Sequence, residues 1–119
     1  MAAFLYGKGL MKFHKKEYAD AAKIFYKVYN LDPKQERMEL TCLYLGRSLL
    51  EIGENDKAVQ YLSKSYDLFN LRILDSKYDY EREEFSDCIR SYLKALNRTG
   101  RTERVRQVEQ AAKANDIRY

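Results

Sequence analysis

Apolar residues return along the chain at three- and four-residue steps, with polar residues between them, and this period selects amphipathic helices over strands. Leu5, Gly9 and Phe13 stand four apart, with Phe4 and Met11 seven apart beside them, which predicts a helix over residues 2–15. Tyr18, Ala21, Ala22, Phe25, Val28 and Tyr29 form a second stripe over 18–30, ended by Asp32-Pro33 because proline cannot continue a helix. A third helix over 35–52 carries Met38, Cys42, Leu45 and Leu49 and stops at Gly53 as a left-handed cap. A fourth over 55–69 runs through Ala58, Leu62 and Tyr66, with Asn55 as the expected N-cap. A fifth over 77–98 carries Phe85, Ile89, Tyr92 and Leu96 and closes at Gly100, and a paler sixth over 101–114 uses Val105, Val108 and Ala112. The stretch 69–77 contains Leu71, Ile73 and Leu74, too apolar for a bare loop, so one or both flanking helices are expected to extend into it.

The pattern repeats. Gly9 is followed by Phe13, Tyr18, Ala21, Phe25 and Pro33, and Gly46, thirty-seven residues on, by Leu50, Asn55, Ala58, Leu62 and Asn70 at the same spacings. A recurring unit of this length is one supersecondary element that cannot bury its apolar face alone and stacks on its neighbours. The expected fold is therefore all-α, a single domain over 1–119 built as a solenoid of about six antiparallel helices in units near 2–34, 37–70 and 77–114. The third unit departs: Leu93 falls on the glycine position, and Gly53 to Gly100 is ten residues longer than Gly9 to Gly46.

These residues resemble the tetratricopeptide repeat family, whose pattern is W-x2-L-G-x2-Y, then A-x3-F, then P. Gly9, the Ala21/Phe25 pair and Pro33 match in the first unit, where Leu5 replaces the tryptophan and Lys8 and Lys12 replace leucine and tyrosine. Leu45-Gly46 and the Ala58/Leu62 pair match in the second, with Cys42 for tryptophan and Leu49 for tyrosine, and Gly100 and Ala112 are what the third retains. Close helix approach requires small residues, so Gly9 and Gly46 are expected to meet Ala21 and Ala58. In the resembled family the first helix of each pair lines a concave groove that holds a peptide. Carried over by position, that face presents Tyr6, Leu10, Phe13 and His14, then Leu43, Tyr44, Arg47, Leu50 and Glu51, then Arg90, Lys94, Asn97 and Arg98, with Asp87 and Ser91 at its edge. The resemblance thus implies a groove graded from aromatic and apolar to basic, fitted to a partner protein or peptide with an apolar anchor and an acidic segment. Tyr6, Leu10, Tyr44, Asp87 and Ser91 stand where a carboxylate clamp for cytosolic chaperones needs lysine, asparagine or arginine, which argues against that subclass.

Composition narrows the chemistry. With 119 residues, 45% hydrophobic and 34% charged, the chain suits one folded domain and not a disordered one. Residues 1–88 carry 14 basic and 15 acidic side chains and residues 89–119 carry 8 basic and 3 acidic, so all net positive charge sits at the C-terminal end. That end raises a nucleic-acid reading, with Arg90, Arg98, Arg101, Arg104, Arg106 and Arg118 on phosphates and Tyr92 and Tyr119 on bases, although Glu103, Glu109 and Asp116 interrupt it. Self-association through exposed tyrosine and leucine is a further reading. The apolar start reads as the first helix and not as a signal peptide, since Lys8 and two glycines break it, and no apolar run reaches the eighteen residues of a membrane span. His14 stands alone, Cys42 and Cys88 fall on buried stripes without metal spacing, and no phosphate loop or calcium loop occurs. The expectation is a cytoplasmic, non-enzymatic protein without cofactor or metal.

Overall fold

The computed structural model describes residues 2–73 and 79–119 and is helical throughout, with no strand among the described residues. The helices are α1 (Ala2–His14), α2 (Tyr18–Leu31), α3 (Met38–Glu51), α4 (Asn55–Ile73), α5 (Asp79–Arg98) and α6 (Thr102–Ala114). Number, order and bounds follow the apolar periodicity closely. α4 runs on to Ile73, which confirms the expected extension on its side, while Leu71 remains 77% exposed. Leu74 and the expected helix start at residue 77 lie outside the described residues.

α3 starts at Met38, three residues later than the pattern predicts, because Gln35 is used as a clasp. Its Nε2 donates to the carbonyls of Val28 (3.1 Å) and Asp32 (2.8 Å), and its Oε1 accepts from the Thr41 hydroxyl at 2.6 Å. One side chain thereby satisfies the C-terminal carbonyls of α2 and anchors the first turn of α3.

The three hairpin turns are built alike. At the end of α3, Gly53 N–H donates to Leu50 O (3.2 Å) and Glu54 N–H to Leu49 O (2.9 Å), with Gly53 at φ +82°. At the end of α5, Gly100 N–H donates to Asn97 O (3.2 Å) and Arg101 N–H to Leu96 O (2.9 Å), with Gly100 at φ +71°. This paired pattern is the Schellman cap. The same two bonds end α1, where Lys16 N–H donates to Phe13 O and Glu17 N–H to Lys12 O, both at 2.9 Å. Here, though, it is Lys16 that takes the left-handed conformation, at φ +63°. Residues 16, 53 and 100 thus hold one structural position. A fourth cap, with Asp116 at φ +53°, ends α6 and turns Ile117 back against the core.

Each hairpin packs α1 on α2, α3 on α4 and, more sparingly, α5 on α6. The odd-numbered helices also touch in order, α1 on α3 and α3 on α5, whereas α2 and α4, or α4 and α6, make no backbone-level approach. The molecule therefore has an inner row (α1, α3, α5) and a splayed outer row (α2, α4, α6), as a stacked helical repeat requires.

The two motif glycines close the first two hairpins, against different residues from those expected. A Cβ on Gly9 would stand 2.9 Å from two Phe25 ring carbons, and one on Gly46 would stand 2.5 Å from Leu62 Cγ. The atoms nearest each glycine belong to the large residue of the A-x3-F pair, and Ala21 and Ala58 are themselves fully buried. The crossing sets each glycine one helical turn further along its partner than an alanine-to-glycine match assumes.

Candidate functional site

α1 and α3 bring together one aromatic cluster on the inner row. Tyr44 meets Phe13 (5.2 Å, 79°) and Tyr6 (6.4 Å, 78°) edge to face and stacks on Phe25 at 5.8 Å. Arg47 lays its guanidinium 4.8 Å from the Phe13 ring centre and 5.6 Å from that of Tyr44. Tyr6, Leu10, Tyr44 and Arg47 are half-buried, leaving edges for a partner, and burial pushes the Tyr6 phenol well above its ordinary titration range and raises that of Tyr44. His14, beside Phe13 at 5.7 Å, is exposed, as is Glu51.

Three residues assigned to this face by register are core residues. Phe13 is 8%, Leu50 4% and Leu43 1% exposed. α3 is the central helix and packs against α1, α2, α4 and α5, so its open face is narrower than that of a helix at the end of a stack.

At the basic end Arg90 and Arg98 are exposed and also bonded within the molecule. Arg90 pairs with Asp87 one turn away, and Arg98 donates to the Leu50 carbonyl at 3.2 Å, tying α5 to the last turn of α3. Its Nη1 lies 3.5 Å from Asn55 Oδ1, so the Asn55 side chain faces Arg98, and Asn55 is the first residue of α4 rather than a residue before it. Lys94 and Asn97 are exposed and Ser91 is half-buried. Glu84 and Asp87 sit close enough to Tyr44 to add to the upward push on its phenol. The inner row therefore reads aromatic, then acidic and paired, then basic at Arg90, Lys94 and Arg98.

A second polar assembly carries no mark in the periodicity. Glu39 is 2% exposed and lies between Arg37 (2.7 Å) and Arg72 (3.4 Å), while Arg37 also reaches Glu84 (3.2 Å) and Arg72 reaches Glu81 (3.5 Å). These five charges link the α2–α3 connection, α3, α4 and α5. Ser65 donates to the Glu39 carbonyl at 2.8 Å. A carboxylate this deep is retained only when paired, so the network fixes how the third unit sits on the second. The one sequence signal was a glutamate inside the Met38–Cys42 apolar stripe.

The arginine-rich C-terminal end is largely engaged within the molecule. Arg101 pairs with Asp56 (3.2 Å) and Arg106 with Glu103 (3.9 Å). Arg104 donates to the Tyr92 hydroxyl at 3.2 Å. Tyr92 is 2% exposed and offers no face to a base, whereas Tyr119 is 44% exposed. Cys42 and Cys88 are free and fully buried, and burial pushes both thiols up to about 12. Among the described residues no group of three His, Cys, Asp or Glu side chains is placed to hold a metal ion, and no helix is long and apolar enough to cross a membrane.

No protein-family model matches the chain, and a search of curated proteins finds no match.

Proposed function

We propose that this chain is a non-enzymatic, tetratricopeptide-like protein-interaction module of the cytoplasm, an adaptor or assembly subunit that holds a peptide or partner helix along its inner row. The carrying observation is the half-open Tyr6–Tyr44–Arg47 cluster, where tyrosine and arginine, the residue types richest in interface energy, converge from two helices. Lys94, like Arg90 and Arg98, is exposed further along that row. Support for a binding and not a catalytic role comes from the exposed His14 and from thiols held protonated in the core. The test is affinity capture with the native chain and with Arg47→Glu plus Lys94→Glu, both checked for helicity. Loss of the captured protein in the double variant is expected, and an unchanged capture overturns the reading.

Self-association is a second reading, favoured by α1. Phe4 and Met11 are 73% and 60% exposed, while Thr41 and Ser48, their counterparts one unit on, are 1% and 0% exposed. Sedimentation of the native chain against Phe4→Lys plus Met11→Lys decides it: a native dimer that becomes monomeric supports the reading, and a native monomer ends it.

A further inference from the structure

Where α2 and α4 part on the outer side, a groove of about 530 Å³ opens over α3. Ala22, Leu45 and Leu49 make its floor, and Tyr26 and Tyr61 stand over it with ring centres 6.4 Å apart and planes nearly perpendicular. Ala19 and Ala22 supply only methyl groups on the α2 side, which keeps the groove open. Tyr26 and Ile52, large apolar residues that core packing normally hides, remain 50% and 43% exposed at its edge. The volume falls within the range of about 300–1,000 Å³ typical of ligand sites.

The next junction shows what this position looks like when filled. Moving forty-seven residues on, Tyr92 takes the place of Leu45 and Arg104 the place of Lys57. Arg104 lies across the Tyr66 and Tyr92 rings at 5.6 and 5.9 Å and donates to the Tyr92 hydroxyl at 3.2 Å, so the molecule plugs its second outer position with its own side chain. At the first position Lys57 stays exposed on one rim and Lys23 on the other. Lys64 extends the positive side by bonding to the Tyr29 hydroxyl at 2.7 Å, next to Tyr61, and Glu54 is the one acid lining the groove.

An apolar floor between two lysine rims matches a segment that offers an apolar side chain flanked by carboxylates. We propose that the outer α2–α4 groove is a second docking site, which takes an aliphatic or aromatic side chain of an acidic peptide segment and holds its flanking carboxylates on Lys23 and Lys57. The floor supplies affinity by excluding water, and the lysines supply direction and reject basic segments. This site is on the opposite row from the Tyr6–Tyr44–Arg47 cluster and stands or falls separately from it.

The probes are two synthetic twelve-residue peptides with a central Leu-Phe pair, one flanked by glutamates and one by lysines, titrated to millimolar concentration into the isotopically labelled full chain. The glutamate peptide is expected to move the amide signals of Ala22, Leu49 and Ile52, and the lysine peptide is not. Lys23→Glu plus Lys57→Glu is expected to weaken the glutamate peptide by about tenfold or more, the sum of two lost and reversed surface pairs. Ala19→Trp, at an exposed position, is expected to block the groove while the other amide signals keep their native positions. Shifts confined to the inner row, absence of shifts at these three amides, equal binding of both peptides, or undiminished affinity in both variants would each overturn the proposal.

Discussion

In the α3–α4 hairpin the missing side chain at Gly46 admits Leu62, which is fully buried. In the α5–α6 hairpin the same two positions are held by Leu93 and Glu109, one buried and the other facing water. The closures are inverted: the second hairpin interlocks across the pair, and the third keeps its bulk on α5 and leaves α6 lightly packed. Yet the turns at Gly53 and Gly100 carry the same bonds at the same lengths. The repeat survives at the turn after it has been lost at the contact.

The sharpest way to break this comparison is at the paired positions themselves. Leu62→Ala should lose about 2–5 kcal/mol in chemical denaturation, as a fully buried leucine does, and Glu109→Ala should stay within about 0.5 kcal/mol. Similar losses at both would show that α6 is packed as tightly as α4. Next is the glycine itself. Gly46→Ala should cost about 1–3 kcal/mol, because the new methyl collides with Leu62. Gly7→Ala, with nothing within 4 Å of its Cβ, should instead raise the unfolding free energy by roughly 0.5–1 kcal/mol through helix propensity. A loss at Gly7 would mean that propensity does not govern open glycines here.

The turns should respond alike in all three hairpins. Gly53→Ala and Gly100→Ala should each lose about 1 kcal/mol, and Lys16→Gly should gain up to about 1 kcal/mol by relieving a left-handed lysine. A thermal melt of each variant reads this out, and a loss for Lys16→Gly would separate the first turn from the other two. The smallest effect belongs to that first turn as well. Lys12 bonds to Glu17 at 2.8 Å and holds its carboxyl below the usual range. A depressed carboxyl adds stability above its unfolded titration range and loses it as pH falls through the folded value. Glu17→Gln should therefore lower the neutral plateau of the melting-temperature profile slightly, leave its acid end near the native value and so flatten the slope between them.

The helices were legible because apolar residues recur at the helical period and glycine or proline marks most ends. The first turn escaped notice as a left-handed cap because lysine fills it, and lysine carries no such signal. Periodicity shows which residues share a face but not which neighbour covers that face. Leu43 and Leu50 therefore read as groove residues until the central place of α3 buried them, and the glycine partners were misplaced by one turn. The open cluster of Tyr6, Tyr44 and Arg47 falls on the face that the family resemblance implied, carried over by position. The Arg37–Glu39–Arg72 network was not legible, since Arg72 is far from the other two in sequence and only the packing of α3 and α4 brings it to Glu39.

The two buried thiols sit on either side of this contrast, Cys42 on α3 and Cys88 on α5. With both fully covered and pushed up to about 12, neither meets a disulfide reagent until its surroundings open. Their labelling rates are thus a pair of internal clocks, one per hairpin. If the third hairpin is the looser, Cys88 runs ahead of Cys42 under native conditions, and the gap between the two measures how far neighbouring repeats unfold as one.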